Sequence, residues 1–270
     1  MKLSTCFILL GSTLIVPTSG FASTWNDNSV SVRYGTEFSE AGVGKDISKT
    51  IFNFTHASGD KYGTNFFTVD NLISDKKDLA ANSDDGAQEI YGFYQRTLLL
   101  SSIPQLKSEY DTLNSLAAFG RVDYGSKNTT FASRPRKYYL GLTMPIPIKT
   151  GFWNVGLAAY KENNHNGIIG KEVEFDTTWA VSSAWNVPYG PGSFGGFINM
   201  IGPKGNDGFG NNTKTETLFR VSYLFDVGST NIKIGPAYEY WRNMYGNDEQ
   251  LDGTHGSKGN VPMLISQFKF

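Results

Sequence analysis

Three histidines and one glycine-rich stretch carry the residue types in this sequence that could support catalysis or cofactor binding. His56, His165 and His255 lie far apart, and no serine elbow, HExxH or CxxC motif accompanies them. Gly190–Gly195 matches GxGxxG, but Pro191 and the lack of a following helix remove the helix terminus that would hold a pyrophosphate. We therefore expect no enzyme activity, no cofactor and no metal, with a serine–histidine hydrolase as the one catalytic alternative.

A larger set of candidates consists of charged and aromatic side chains on the polar side of alternating segments. Turned inward in a barrel, they would present both signs of charge, hydroxyls and rings to a solute in the lumen. Such a mixture suits a neutral planar solute, which stacking holds by about 1–3 kcal/mol per base. The alternative is that these side chains pair with one another and fill the barrel. The candidates are Arg33, Asp70, Phe119, Arg121, Tyr139, Tyr160, Glu174, Asp176, Glu216, Arg220, Lys233 and Glu239.

Alternation of apolar and polar residues recurs about a dozen times and predicts the strands that must position these side chains. The clearest case is the eighth segment, where Val173, Phe175 and Trp179 share one face and Glu174 and Asp176 the other. The predicted strands cover residues 29–34, 51–55, 62–70, 88–98, 116–124, 137–144, 153–160, 172–181, 194–201, 216–225, 232–240 and 262–270.

The connections between these strands distinguish a barrel from a sandwich. Outer-membrane barrels have short periplasmic turns and longer extracellular loops. The odd-numbered connections are rich in Gly, Asn, Asp and Lys, and most even ones are tight, although 101–114 is long for a periplasmic turn. We therefore predict an all-β fold, a transmembrane antiparallel β-barrel of twelve strands. The odd-numbered connections are 37–47, 71–87, 125–136, 162–171, 202–212 and 243–259.

The N-terminal segment is typical of a secretory signal peptide. Lys2 precedes a short apolar run, and Gly20 and Ala22 place small residues before a cut after Ala22. We predict a cleaved signal at 1–22 and a single barrel domain at 23–270, without the only cysteine, Cys6. After removal of Lys2 with the signal peptide, the chain has 23 basic and 25 acidic residues, a net charge near −2. This charge does not indicate a nucleic-acid partner.

The C-terminal segment alternates to its last residue. Leu264, Phe268 and Phe270 share one parity, which would face lipid in a closed barrel. A terminal Phe after alternating apolar residues also resembles the signal that outer-membrane barrels present to their assembly machinery, so we expect Phe270 to contact that machinery.

Four ordered blocks resemble the Tsx-like nucleoside-specific channel-forming proteins of the outer membrane, with the related OmpK-type phage-receptor porins. The resemblance covers essentially the whole predicted mature chain, and the sequence departs from the family pattern at Met244–Gly246, where Lys-Phe-Gly is expected. The blocks are Tyr62–Asp70, Lys161–Gly167, Pro203–Gly210 and Tyr238–Asn243.

This resemblance implies a monomeric barrel with a narrow, elongated pore in the outer membrane of a Gram-negative cell. The expected function is passive passage of nucleosides or similar small polar solutes, with the outer loops as an attachment surface for phage or colicin. The alternative is a surface receptor or adhesion barrel with a filled pore and no specific transport.

Overall fold

The computed structural model describes residues 23–270 apart from 169, 252 and 254. The predicted signal peptide, 1–22, lies outside the described residues. In the part of the chain that is described, no helix is long and apolar enough to cross a membrane.

The described chain forms one antiparallel sheet that closes on itself. Each wall strand pairs with its sequence neighbours, and β1 closes on β13 with Val30 opposite Phe268. Twelve of the described strands form the wall, as predicted, and a short additional strand, β8, extends its edge beyond β7. The strands are β1 (Trp25–Glu40), β2 (Gly44–Asp60), β3 (Gly63–Ser74), β4 (Gln88–Leu99), β5 (Ala117–Lys127), β6 (Arg136–Pro145), β7 (Phe152–Asn166), β8 (Lys171–Glu174), β9 (Thr178–Tyr189), β10 (Gly192–Ile201), β11 (Glu216–Asp226), β12 (Ile232–Arg242) and β13 (Lys258–Lys269).

Alternation decides which side chains face out. Along β1, Ser31 and Arg33 are buried, whereas Val30, Val32 and Tyr34 between them are exposed. Because the remaining wall strands pair in continuous antiparallel register with this one, the same parity can be followed around the ring. The inner face is thus mostly polar, and the outer face carries the large apolar side chains.

The outer face has the composition of a lipid-contacting wall. Leu140 and Leu157 on neighbouring strands are 72% and 60% exposed, a state that water would not favour over so large an area. Exposed aromatic residues form two girdles near the ends of the strands, as in outer-membrane barrels. One girdle comprises Tyr34, Tyr124, Tyr138, Trp179 and Tyr238, and the other comprises Trp153, Phe194, Phe225, Phe268 and Phe270.

Closure explains why such a sheet is stable in lipid. Every wall strand has two neighbours, so no strand edge offers unsatisfied backbone groups to the hydrocarbon. At the seam, the Phe270 amide donates to the Asn28 carbonyl at 3.0 Å, and Phe268 stacks on Phe270. The chain is therefore an outer-membrane-type β-barrel.

The eighth predicted strand is the main error of the sequence analysis. Asn163 pairs with Glu174 in β8, but Tyr160 pairs with Thr178 in β9, so the register shifts by one residue between them. A one-residue shift reverses which parity faces inward. The regular alternation of 172–181 therefore continues across the register shift between β8 and β9, and β9 starts only after that shift.

The connections largely follow the predicted difference in length. Strands β1 and β2 extend beyond their predicted ends, so the expected loop at 37–47 is a turn at 41–43. The long inner connection predicted at 101–114 contains 3-10 turns at Leu100–Ser102 and Pro104–Leu106 and a short helix, α1 (Asp111–Asn114). The remaining long outer connections are 75–87, 128–135, 202–215 and 243–257.

Candidate functional site

The barrel interior is the candidate functional site, and its two ends differ. Toward the outer loops it is packed, with an apolar cluster that includes Ile47, Ile51, Val261 and Met263. Toward the short turns, Ser29 and Phe119 are buried, but several other inward-facing side chains remain partly exposed. These accessible groups include Asn53, Thr55, Phe66, Thr68, Gln95 and Asn186.

A continuous row of rings and one guanidinium crosses the inner wall from β3 to β7. Phe66 and Phe93 are stacked with centroids 5.4 Å apart, and the Arg121 guanidinium lies 3.6 Å from the Phe93 centroid. Arg121 also lies 4.8 Å from the ring of Tyr139, which meets Tyr160 edge-on at 4.8 Å. We call these five residues the aromatic–arginine row.

Exposure changes along the aromatic–arginine row. Phe66 is 36% exposed although it faces inward, whereas Tyr160 at the other end is fully buried. Phe93 is in contact with both Phe66 and Arg121 and is half-buried. The available stacking surface is therefore the Phe66 ring at the accessible end.

Asp123 holds Arg121 in place within the row. Its two carboxylate oxygens accept from Nε and Nη2 of Arg121 at 2.6 and 2.7 Å, and the Tyr91 hydroxyl donates to it at 2.5 Å. A bidentate pair fixes the guanidinium plane as well as its position. Arg121 is therefore a fixed part of the wall.

Two ion pairs face the lumen on the other side of the barrel. Arg33 pairs with Asp70, and Arg220 donates through Nε and Nη2 to Glu239. Asp70 and Arg220 stay partly exposed, at 18% and 21% of their side chains, so charge of both signs remains accessible there.

A buried lysine ties an outer loop to the wall. Lys204, in the connection 202–215, is 1% exposed; its Nζ pairs with Glu162 and lies 4.3 Å from the Phe175 ring. Glu162 also accepts from the Tyr160 hydroxyl at 2.5 Å. The loop is thus anchored directly to the buried end of the aromatic–arginine row.

A second buried group of charges, the outer ionic cluster, consists of Glu40, Lys49, Asp78 and Lys127. Glu40 Oε1 accepts from Lys49 Nζ at 2.5 Å and lies 3.1 Å from Lys127 Nζ, which reaches Asp78 of the connection 75–87 at 2.8 Å. The Tyr245 hydroxyl donates to Glu40 at 3.3 Å from the connection 243–257. The cluster thus joins two outer loops to the wall.

Glu40 stays ionised in this cluster. It lies at the outer tip of β1, beyond the lipid-exposed residues Val30 to Tyr34. Burial by itself would raise the pKa of Glu40, but the ammonium groups of Lys49 and Lys127 outweigh it and hold the pKa at about 2. Burial and the neighbouring Glu40 charge raise the pKa of Tyr245, so its hydroxyl stays a donor.

The structure places most of the predicted site residues on the inner face, but in different environments. Phe119 is buried in an apolar cluster with Tyr139 and Tyr160. Glu216 accepts from the Trp241 indole at 2.9 Å, and Lys233 pairs with Asp226 near the short turns.

Glu174 and Asp176 are wrongly predicted as lumen residues. Both are exposed at the outer end of the barrel, where Glu174 pairs with Lys161 at 3.0 Å and the Asp176 amide donates to the Lys204 carbonyl. The cause is the register shift between β8 and β9, which turns Phe175 inward instead.

Two central residues of the interior are not predicted by the sequence pattern. Phe93 lies in a segment with aromatic residues on both parities, since Tyr91 and Tyr94 flank it, so alternation could not assign it. Lys204 lies in a predicted loop, where no periodicity distinguishes an inward side chain from a solvated one. The sequence marks that loop only as an outer connection and as the resemblance block Pro203–Gly210.

Similarity to known proteins is found among solved structures only. No protein-family model matches the chain, and no curated protein matches it. Among 67 matching chains of solved structures is the translocator domain of the autotransporter NalP from Neisseria meningitidis, with 11% identity, a TM-score of 0.46, and 94% of this chain and 90% of that chain covered.

Two further structures have lower scores. The β domain of the Bordetella autotransporter Brka has 7% identity and a TM-score of 0.40, with 91% of this chain and 98% of that chain covered. OccK1 (OpdK) from Pseudomonas aeruginosa has 11% identity and a TM-score of 0.30 at the same coverage. At these values the similarities say nothing about what this barrel carries, and its fold rests on its own strand pairing.

Proposed function

We propose that the barrel is a passive channel for nucleosides or similar small, planar, polar solutes. The observation that carries the proposal is the aromatic–arginine row, which presents the Phe66 ring to the accessible part of the lumen. Sequence blocks similar to Tsx-like channels point to the same class of solute. A ring face and nearby hydrogen-bonding groups are what a base joined to a sugar requires.

Solute recognition would combine stacking with hydrogen bonds. A base stacked on Phe66 would lie beside Gln95, which is opposite Phe66 on β4, and near Thr68. The Asn53 amide nitrogen already donates within the wall, so further donors and acceptors for a sugar come from the Gln95 amide. The charged pairs Arg33–Asp70 and Arg220–Glu239 are each neutralised internally, so they favour a dipolar solute over an ion.

The outer loops set the resistance of this path. Lys204 and the outer ionic cluster anchor three outer connections to the wall, so passage from the outside requires these loops to leave a gap beside their anchors. Passive diffusion through the barrel needs no energy coupling. The anchored loops would act as a fixed constriction, and its width would select small solutes.

The second candidate function is a surface receptor or adhesion barrel with a filled pore. The burial of the outer half favours it, because Glu162, Lys204 and Ile47 leave almost no exposed surface there. In that case the outer connections 75–87 and 243–257 would be the functional surface, for example for phage or colicin attachment.

The other expected partners, lipid and the barrel-assembly machinery, follow from the apolar outer wall of the barrel. The barrel would be a monomer in lipid, with its C-terminal strand and Phe270 read by the barrel-assembly machinery. The pairing of β13 with both β1 and β12 supports a role for this strand in closing the ring.

A liposome-swelling series tests the channel against the filled barrel. We expect nucleosides to enter faster than sugars or amino acids of similar size. A folded preparation that admits none of these solutes would instead support the receptor barrel.

A further inference from the structure

Three polar side chains converge on the outer wall, at the end of β1 and β2 nearest the short turns. Asn28, His56 and Ser58 share the parity of the lipid-facing residues Val30 and Phe54, so they point away from the lumen. The channel does not use them. The sequence separates Asn28 from the other two, and the β1–β2 register brings Asn28 directly opposite His56.

The three side chains form a hydrogen-bonded chain. Asn28 Oδ1 lies 2.7 Å from His56 Nδ1, and His56 Nε2 lies 3.2 Å from Ser58 Oγ. In the tautomer with the proton on Nδ1, His56 donates to Asn28 and accepts from the Ser58 hydroxyl. Asn26 Oδ1, 3.5 Å from Asn28 Nδ2, favours the amide orientation that turns Oδ1 toward the imidazole.

An amide donor lies beside the serine. Asn65 Nδ2 is 3.4 Å from Ser58 Oγ, and the Tyr94 hydroxyl donates to Asn65 Oδ1 at 2.7 Å. With the Tyr94 hydroxyl as the donor, the Asn65 amide turns its N–H toward Ser58. An N–H beside a nucleophile is the arrangement that stabilises an oxyanion.

An apolar groove begins next to these residues and runs up the lipid-facing wall. Its volume is about 590 Å³, and its lining includes Val30, Phe52, Phe54, Val69 and Phe268. Val30 and Phe54 are two positions from Asn28 and His56 on the same strands and the same face. The groove is continuous with the wall that contacts lipid, so a hydrocarbon chain can lie in it while its polar end reaches the three side chains.

We propose that Ser58, His56 and Asn28 form a serine-hydrolase triad that cleaves carboxylic acyl esters at the inner rim of the barrel. Ser58 Oγ bonds to the acyl carbon while His56 Nε2 takes the hydroxyl proton, and Asn65 donates to the resulting oxyanion. Collapse breaks the ester C–O bond, and His56 returns the proton to the departing alcohol. A water oxygen then bonds to the acyl carbon of the acyl-serine while His56 Nε2 takes a proton from the water. Collapse breaks the bond to Ser58 Oγ, His56 returns the proton to Ser58, and the carboxylic acid leaves.

The roles differ among the residues. Ser58 and His56 are catalytic, and Asn28 is a positioning residue that holds the imidazole. Ser58 is 7% exposed, so the ester reaches Oγ when the Asn65 amide exchanges its contact with Ser58 for one with the acyl carbonyl. The acyl chain lies in the apolar groove, which favours an ester with a long hydrocarbon chain.

Covalent labelling tests the nucleophile. The full barrel, folded in phospholipid vesicles, is treated with a fluorophosphonate, and the labelled peptide is identified by mass spectrometry. We expect label on Ser58, none in Ser58→Ala or His56→Gln, and undiminished label in the control Ser229→Ala, whose serine is exposed on an inner turn. A barrel that is folded by heat-modifiability and takes no label on Ser58 overturns the proposal.

Hydrolysis tests the substrate. Fatty-acid release from the vesicles and cleavage of a water-soluble p-nitrophenyl ester are measured in parallel; Ser58→Ala should lower both by about 10³-fold or more. Cleavage of the soluble ester alone supports the triad and assigns it a water-borne ester. Activity that survives Ser58→Ala overturns it.

A positioning role for Asn28 has its own signature. Asn28→Ala removes the acceptor that orients the imidazole, so kcat should fall while KM stays nearly unchanged, and Asn28→Asp, which keeps an acceptor oxygen there, should recover part of the rate. An Asn28→Ala barrel that cleaves esters as fast as the unaltered one contradicts the role given to Asn28. The triad faces lipid and the channel faces the lumen, so the two proposals are tested independently.

Discussion

The outer and inner halves of the lumen are built from similar residues used in opposite ways. In the outer half, Glu162 and Lys204 bury their charges completely against each other. In the inner half, Phe66 and Gln95 stay partly exposed beside hydroxyls and amides. The difference indicates that charge in the outer half fastens loops to the wall, whereas polarity in the inner half remains available to a solute.

The largest effect is expected from breaking the loop anchor. Lys204→Ala leaves the Glu162 carboxylate buried without its cation, a loss of about 3–5 kcal/mol when one partner of a buried pair is removed. We expect the connection 202–215 to become protease-sensitive and heat-modifiability gels to show unfolding at lower temperature.

Lys214→Ala is the matched control in the same loop. Lys214 is 53% exposed and lies 3.5 Å from Asp248, so its loss should cost about 0–1 kcal/mol. Equal effects from the two substitutions would contradict the anchoring role of Lys204.

Loss of the Glu40 charge should loosen the outer ionic cluster in strong acid. A pKa of about 2, below the usual 4.5, means that Glu40 stabilises the cluster above pH 4.5 and loses this contribution as pH falls through about 2. Pepsin cleavage within 75–87 or 243–257 should therefore appear only toward the lower end of that range.

Glu40→Gln mimics the protonated state without acid. It should loosen the same loops at neutral pH, as measured by limited proteolysis, because Lys49 loses its carboxylate partner. Loops that stay protected in this variant would show that Glu40 does not hold them.

The next effect concerns the inner half. Phe66→Ala removes the accessible stacking face and should weaken nucleoside block of the pore by about 1–3 kcal/mol, with little change in assembly. Phe67→Ala is the control, because Phe67 is the neighbouring residue with similar exposure and points to lipid. Equal weakening in both variants would place the solute elsewhere.

The smallest effect is expected at Glu174, which the sequence predicted to face the lumen. Its partner Lys161 is also on the outside, and the Glu174 side chain is 73% exposed, so Glu174→Ala should change stability by at most about 1 kcal/mol. Single-channel recording should show unchanged conductance. A clear conductance change would show that Glu174 lies on the solute path.

The sequence predicted the parts of the barrel in which one face is polar and the other apolar. The segments around Val30 and Ile234 alternate strictly, and their inward and outward faces are as expected. The prediction failed at 172–181, because a register shift reverses parity without leaving a mark in the alternation itself.

The candidate site was less predictable than the wall. Parity placed Arg121, Tyr139 and Tyr160 on the inner face, but their contact in one row depends on which residues the register puts side by side. The inward position of the Lys204 side chain depends on how its loop folds back over the barrel. No local sequence pattern encodes that fold. Pairing across strands also brings Asn28 to His56, which the sequence separates.

Single-channel recording in planar bilayers tests the central claim most directly. The folded barrel should conduct ions, and added nucleoside should reduce the current in a saturable way that Phe66→Ala weakens and Phe67→Ala does not. Sugars at the same concentration should reduce it less. A folded barrel that conducts no current, or whose current nucleosides leave unchanged, would contradict the account of the inner half as a path for planar solutes.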